Sequence, residues 1–236
     1  MNESAWNDVL SNHKIDKVTF YRFRARYPRL HGKNARLSYH GFGGEVLAAR
    51  IYTNQGASGW GSVSTNLPEA REAAERIVGK KLTEVFSAQK GILDSTLHAL
   101  DIPLHDLAGV ILDIPVAQMI RPKATLSSVV YDGAIYMNDI IPEDHPQGVE
   151  QILRDCEYDY ALGHRILKIK IGRGSIWMPH DEGLARDIEV VCRIHDAFPD
   201  AYLMVDANDG YSVEDTIAFM EGIGDTELYW FEEPFR

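Results

Sequence analysis

Three apolar runs in the second half of the chain each end in charge. They are Ile166-Leu167-Lys168-Ile169-Lys170, Tyr202-Leu203-Met204-Val205-Asp206 and Leu228-Tyr229-Trp230-Phe231-Glu232-Glu233. Each has the β-forming content of a buried strand and turns charged where such a strand would leave its sheet. Lys168 and Lys170 are two apart, so on a strand both side chains point to one face. Two ammonium groups held together repel. Each weakens the other's hold on its proton, which moves a lysine toward general-base work near neutral pH. Asp206 and Glu232 are hard oxygen donors suited to Mg2+, which prefers octahedral oxygen coordination completed by water or substrate. A base and a divalent cation together are the equipment for removing a proton α to a carboxylate, giving an enediolate. Asn208 shares the side-chain phase of Asp206 and can donate to a ligand at the same strand end. Singly, these features have plainer readings: solvated charge, a turn-capping Asp, a proline that ends a strand. Their succession on consecutive strands is what points to a site.

The elements that would position these residues alternate. A strand is expected at Thr125–Tyr131, then a helix over Gln147–Tyr160 with Val149, Ile152, Leu153 and Cys156 on its apolar side. The lysine strand follows, then a helix over Asp181–Phe198, apolar at Leu184, Ile188, Val191 and Cys192. After the Asp206 strand, Ser212 and Asp215 form a capping-box pattern opening a helix, and the Glu232 strand comes last. Strand–helix repetition with nearly continuous apolar strands predicts a parallel sheet covered by helices. That is an open doubly wound sheet or part of a (β/α)8 barrel, and ligands gather at the carboxyl ends of the strands in both.

Before the break at Ile120-Arg121-Pro122-Lys123 the pattern is different. Residues 1–15 read as a flexible lead. Val18–Tyr27, Glu45–Asn54 and Ser58–Ser64 read as an antiparallel meander, with Pro28–Gly44 a long mobile loop. Pro68 opens a helix to Ile77, and helical spacing returns over Ser87–Gly109. The domain division expected is therefore 16–122 and 123–236.

The chain has 236 residues and a net charge of −11. Such an acidic balance argues against nucleic acid or an anionic membrane as partner, and no run approaches ~20 consecutive apolar residues. Cys156 and Cys192 lie in helix-like stretches without metal spacing. Together with a polar N-terminus lacking an apolar signal region, they fit a reduced, cytoplasmic protein.

The pattern Lys168-x-Lys170, Val205-Asp206-Ala207-Asn208 and Phe231-Glu232-Glu233-Pro234 resembles the enolase superfamily, in its mandelate racemase / muconate lactonizing enzyme branch. Leu104-His105-Asp106-Leu107-Ala108-Gly109 with Ile114-Pro115-Val116 is similar to the helix closing that family's N-terminal capping domain, and Trp60-Gly61 to the end of its third strand. The resemblance runs from Ile15 to Arg236. It implies an α+β capping domain followed by about half of a TIM-type barrel, and an enzyme with Mg2+ as cofactor. Lys170 would be the base that takes the α-proton and Lys168 its electrostatic partner. Asp206 and Glu232 would be metal ligands, and Asn208 a substrate contact. The loop Pro28–Gly44 would close over substrate, with His31, Arg36, Tyr39 and His40 meeting hydroxyls or a carboxylate. The insertion Gly172–Pro179 lacks the glycine pattern of a phosphate cradle. In the family an extended loop here resembles acid-sugar dehydratases, making Arg173 and Trp177 substrate-side candidates.

The implied substrate is a small carboxylate, an acid sugar or hydroxy acid, and dehydration is the reaction expected first. Racemisation, epimerisation and cycloisomerisation are the alternatives. A homo-oligomer is expected. Relative to the family, the chain stops at Arg236, before the strand carrying the third metal ligand and those carrying the opposite-face acid or base. A non-catalytic fragment that needs a partner chain is therefore a further alternative.

Overall fold

The computed structural model describes residues 3–121, 123–124 and 135–236. Its chain divides into two compact units, Met1–Ala25 with Glu45–Ser128, and Arg26–Gly44 with Val129–Arg236. The second unit thus takes in the hairpin tip that the sequence assigned to the first domain.

Helix α1 spans Glu3–Ser11, where a flexible lead was expected. Trp6 and Leu10, one helical turn apart, are both buried in the first unit's core and tie the segment down. Strands β1 (Ile15–His31), β2 (Gly41–Thr53) and β3 (Ser58–Ser62) form a sheet in that order, with β2 and β3 antiparallel. β1 and β2 run further toward each other than expected, leaving only 32–40 as the connection rather than Pro28–Gly44. Helix α2 (Leu67–Ile77) starts where Asn66 accepts the Glu69 N–H and Pro68 occupies the first turn. The expected helix from Ser87 is corrected. The short strands β4 (Phe86–Ser87) and β5 (Gly91–Ile92) pair there, and helical structure resumes as a 3-10 turn at Ser95–Leu100 before α3 (Asp101–Leu112) and α4 (Val116–Ile120). Gly91, with φ of +74°, makes the tight turn that breaks the helical pattern.

The second unit follows the predicted alternation closely. Helix α5 (Val149–Ala161), strand β6 (Ile166–Lys170), helix α6 (His180–Ala197), strand β7 (Tyr202–Asp206), helix α7 (Val213–Gly222) and strand β8 (Leu228–Glu232) succeed one another. The capping box forms as expected, Ser212 Oγ accepting the Asp215 N–H and Asp215 accepting the Ser212 N–H. The three strands are parallel in the order β6-β7-β8. The strand expected at Thr125–Tyr131 lies outside the described residues. Just after it, Ile135 bridges Ile169 of β6 in parallel. Leu167, Ile169, Leu203 and Val205 pack with Ile152, Val190, Val191, Ile194 and Phe219 from the helices in one core. That burial fixes the register, because a one-residue slip would turn the apolar set to the other face. Among the described residues no helix is long and apolar enough to cross a membrane.

Candidate active site

With Leu167, Ile169, Leu203 and Val205 committed to the core, the alternate residues must occupy the opposite face of the sheet. The register aligns Lys168 with Met204 and Trp230, and Lys170 with Asp206 and Glu232. Four charged side chains therefore meet at the carboxyl ends of neighbouring parallel strands. Lys170 Nζ donates to Asp206 Oδ2 at 2.5 Å and to Asn208 Oδ1 at 3.0 Å. Lys168 Nζ donates to Glu232 Oε2 at 3.0 Å and stands 3.8 Å from Asp206 Oδ2. The two lysines share a face as expected. They do not confront each other alone, however, because Asp206 stands within reach of both and offsets their repulsion. Asp206 is 1% exposed, and its other oxygen accepts the Asn208 N–H at 2.9 Å.

The loops beyond the strands are held in left-handed backbone at Asn208, Asp209 and Glu233, with φ of 46°, 56° and 43°. For non-glycine residues that costs energy, which the fold must offset. The bonds that hold them include Asp209 N–H to the Glu233 carbonyl at 2.7 Å and Asn208 Nδ2 to Glu233 Oε2 at 3.2 Å. Arg36, from the hairpin tip, donates to the Asn208 carbonyl at 2.6 Å and the Asp209 carbonyl at 3.0 Å. Gly172 has φ of +100°, and a Cβ on it would lie 2.7 Å from Ala35 Cβ, so this turn after β6 requires glycine.

Not every candidate arrives here. Arg173 is corrected: it is fully buried, with Nε and Nη2 donating to the two Asp139 oxygens at 2.9 and 2.7 Å and Nη1 to Asp187 Oδ1 at 2.6 Å. Burial alone would lower its pKa, but the two carboxylates outweigh it and the pKa is raised. With its guanidinium enclosed by these acids, Arg173 holds the loop rather than a substrate. Trp177 Nε1 donates to the Asn34 carbonyl at 2.6 Å, and Lys33 Nζ lies 4.1 Å from its ring centroid. Trp177 lines a cavity with Lys33, Glu143 and Arg186 that none of the four strand-end residues lines. Tyr39 is 56% exposed and lines another cavity, with Arg29, Phe42 and Asp155. His40 Nδ1 donates to the Gly32 carbonyl at 2.8 Å, so that nitrogen carries a proton.

His40 and His31 both contact Tyr136, at ring-centroid distances of 4.5 and 4.7 Å. Tyr136 in turn lies 5.8 Å from Lys170 Nζ and was missed in the sequence. Its signal was present in Ile135-Tyr136-Met137, an apolar triplet just past the predicted strand. Burial first, then the nearby Arg29 and His40, lower the His31 pKa to about 4. Asp187 was also missed. It falls at the buried stripe of α6 between Leu184 and Ile188, where a charge demands a cation partner.

Residues 151–236 match the family model described as "Enolase C-terminal domain-like". That segment carries an enolase C-terminal-like domain. Its structural neighbours include galacturonate dehydratase from a Geobacillus species, solved with D-galacturonate and 5-keto-4-deoxy-D-galacturonate, at 31% identity and a TM-score of 0.83. That match covers 96% of this chain and 59% of the dehydratase, and a mutant of the same enzyme was solved with Mg. A hydrophobic dipeptide epimerase of Roseobacter litoralis is 26% identical over 94% of this chain and 61% of its own length. D-galactarolactone cycloisomerase of Agrobacterium fabrum is 27% identical over 62% of this chain and 35% of that enzyme. These relatives are enzymes, and the chain spans no more than about 60% of their length.

For a divalent cation this chain offers Asp206 and Glu232, carboxylates at adjacent strand ends. Among the described residues no group of three or more His, Cys, Asp or Glu gathers to hold a metal. The donor chemistry fits an ion that takes two carboxylates and keeps other oxygens in its shell.

Proposed function

We propose that this chain carries the proton-abstracting half of an enolase-type site, acting on the carbon α to a carboxylate, with dehydration of an acid sugar as its reaction. The observation that carries the reading is the register Lys170–Asp206–Glu232, with Lys168 beside it, at the carboxyl ends of β6, β7 and β8. Asp206 and Glu232 would hold Mg2+. When bound, the ion supplies positive charge that stabilises the developing anion of the substrate carboxylate.

Lys170 Nζ is the atom that receives the α-proton. Its bonds to Asp206 and Asn208 fix its direction, which serves the positioning that proton transfer requires. Lys168, paired with Glu232, adds positive charge on the same face. Arg36 braces the loop that carries Asn208, and residues 26–44 serve as the capping segment over the site. The dehydratase reading, with a galacturonate-like acid sugar as substrate class, rests on the 31% identity to the galacturonate dehydratase across nearly the whole chain. A second reading, epimerisation of a dipeptide, is favoured by the 94% coverage of the match to the dipeptide epimerase.

The test is exchange of the α-proton with D2O, followed by NMR with Mg2+ present, over a panel of hexuronates, aldonates and dipeptides. Exchange into a uronate with loss of water supports the dehydratase, and exchange into a dipeptide with inversion supports the epimerase. Exchange that survives Lys170→Ala would place the base elsewhere.

A further inference from the structure

Lys33, on the hairpin tip, is an ammonium held inside the second unit. It is 3% exposed, and its carbonyl accepts the Met137 N–H at 3.0 Å. Its Nζ lies 4.1 Å from the Trp177 ring centroid and donates to Glu143 Oε1 at 2.5 Å. Burying a charge is costly unless its partner is well fixed. Glu143 is poorly fixed, because its side chain is 75% exposed. The pair is therefore asymmetric: a buried, anchored cation faces a carboxylate that water can take back.

These three residues line a cavity of about 560 Å3, a size suited to a small molecule, and all of its lining belongs to the second unit. Its charges are uneven once their partners are counted. Asp139 lines it too, but both Asp139 oxygens accept from Arg173. Arg186 adds a guanidinium to the lining, 3.6 Å from Asp139 Oδ2 and 3.0 Å from Glu189 Oε2. Glu143 is thus the carboxylate that answers Lys33. The rest of the lining includes apolar Ile140, Met178 and Ile176, the last 58% exposed. Two cations beside apolar and aromatic surface suit an organic anion.

We propose that this cavity is a second ligand site, which takes a small carboxylate with an apolar ring, the ligand's carboxylate replacing Glu143 on Lys33 with Arg186 as the second cation. It requires neither Mg2+ nor Lys170. Its occupancy steadies the hairpin tip, because Trp177 donates to the Asn34 carbonyl and Asn34 Oδ1 accepts the Arg36 and Leu37 N–H groups at 2.9 and 2.6 Å. Arg36 is the residue that braces the Asn208 loop.

The test is titration of the full chain, without Mg2+ and at constant ionic strength, with benzoate and with benzamide as its uncharged counterpart. The readout is the Trp177 indole N–H signal in proton–nitrogen NMR spectra, assigned with Trp177→Phe. Benzoate should move it saturably, with a Kd of about 1 mM or tighter, and benzamide should not. Glu143→Gln, an exposed change that removes the competing carboxylate, should tighten binding about tenfold. Lys33→Met should weaken it about tenfold or more, and so should Arg186→Gln, with circular dichroism showing each variant folded. A Trp177 signal that benzoate leaves unmoved overturns the proposal. So does benzamide binding as well as benzoate, an affinity that Glu143→Gln and Arg186→Gln both leave unchanged, or binding that Lys170→Ala abolishes while Lys33→Met does not.

Discussion

Lys170 and Arg173 stand close together around the glycine turn that ends β6, and each meets two carboxylates or amides from other elements. Their surroundings differ. Arg173, Asp139 and Asp187 are each fully buried, and Asp187 also accepts the Gly172 and Arg173 N–H groups and the Tyr211 hydroxyl. Burial raises the Asp187 pKa, with Arg173 opposing it, and burial likewise pushes the Tyr211 hydroxyl up. The lysine cluster is less enclosed. Glu232 in it is 34% exposed in its side chain, and its partners lie on a sheet face that also bears the half-exposed Trp230. A saturated, enclosed set of charges can only hold the fold. A set with an open side and exchangeable partners can meet a ligand. The contrast separates two kinds of charge that sequence spacing alone treats alike.

The sharpest way to break the contrast is Arg173→Met. It leaves Asp139 and Asp187 buried without their cation, and stability measured by urea unfolding should fall by about 3–5 kcal/mol. Lys170→Ala should act on the other side of the comparison. Any α-proton exchange should fall by about 10²–10⁴-fold. Urea unfolding should show a smaller stability loss than Arg173→Met, because Lys168 still stands 3.8 Å from Asp206.

His31 tests the ground between the clusters, since it stacks with Tyr27 and Tyr136 at 4.1 and 4.7 Å. Its folded pKa of about 4 lies below the ordinary 6.5, so the unfolded chain takes up the proton first. Acid should therefore remove stability from pH 6.5 down to about 4 and leave it unaffected by this group above that window. The loss is at most about 3 kcal/mol and smaller after solvent screening. His31→Asn should flatten this slope in unfolding curves taken across the window. The smallest effect is expected for Arg36→Ala. Its side chain is 45% exposed, so stability should fall by about 1 kcal/mol or less, while amide exchange at Asn208 and Asp209 should quicken.

Much of the second unit was legible because its strands are apolar runs bounded by charge and its helices have capped, periodic faces. β6, β7 and β8 lie where Ile166–Lys170, Tyr202–Asp206 and Leu228–Glu232 placed them. Legibility fell where local pattern competes with distant contacts. Residues 3–11 look polar and loose, yet Trp6 and Leu10 find a core supplied by later helices. Ser87–Gly109 has helical spacing, yet Gly91 and Asp94 divide it. Pro28–Gly44 reads as a loop because its Gly, Arg and His content is polar, although its ends continue as paired strands.

The sequence by itself determined that two lysines and two carboxylates end successive strands, because side-chain alternation and the order of strands and helices are properties of the chain. It also determined which face of each strand carries them, since the apolar alternates have to be buried. Only the tertiary structure decided which cations remain available. Arg173 and Lys170 are equally charged in the sequence. Whether a charge is enclosed by acids or left beside an open face depends on packing between α6, the turn after β6 and the residues around Asp139, which are distant along the chain.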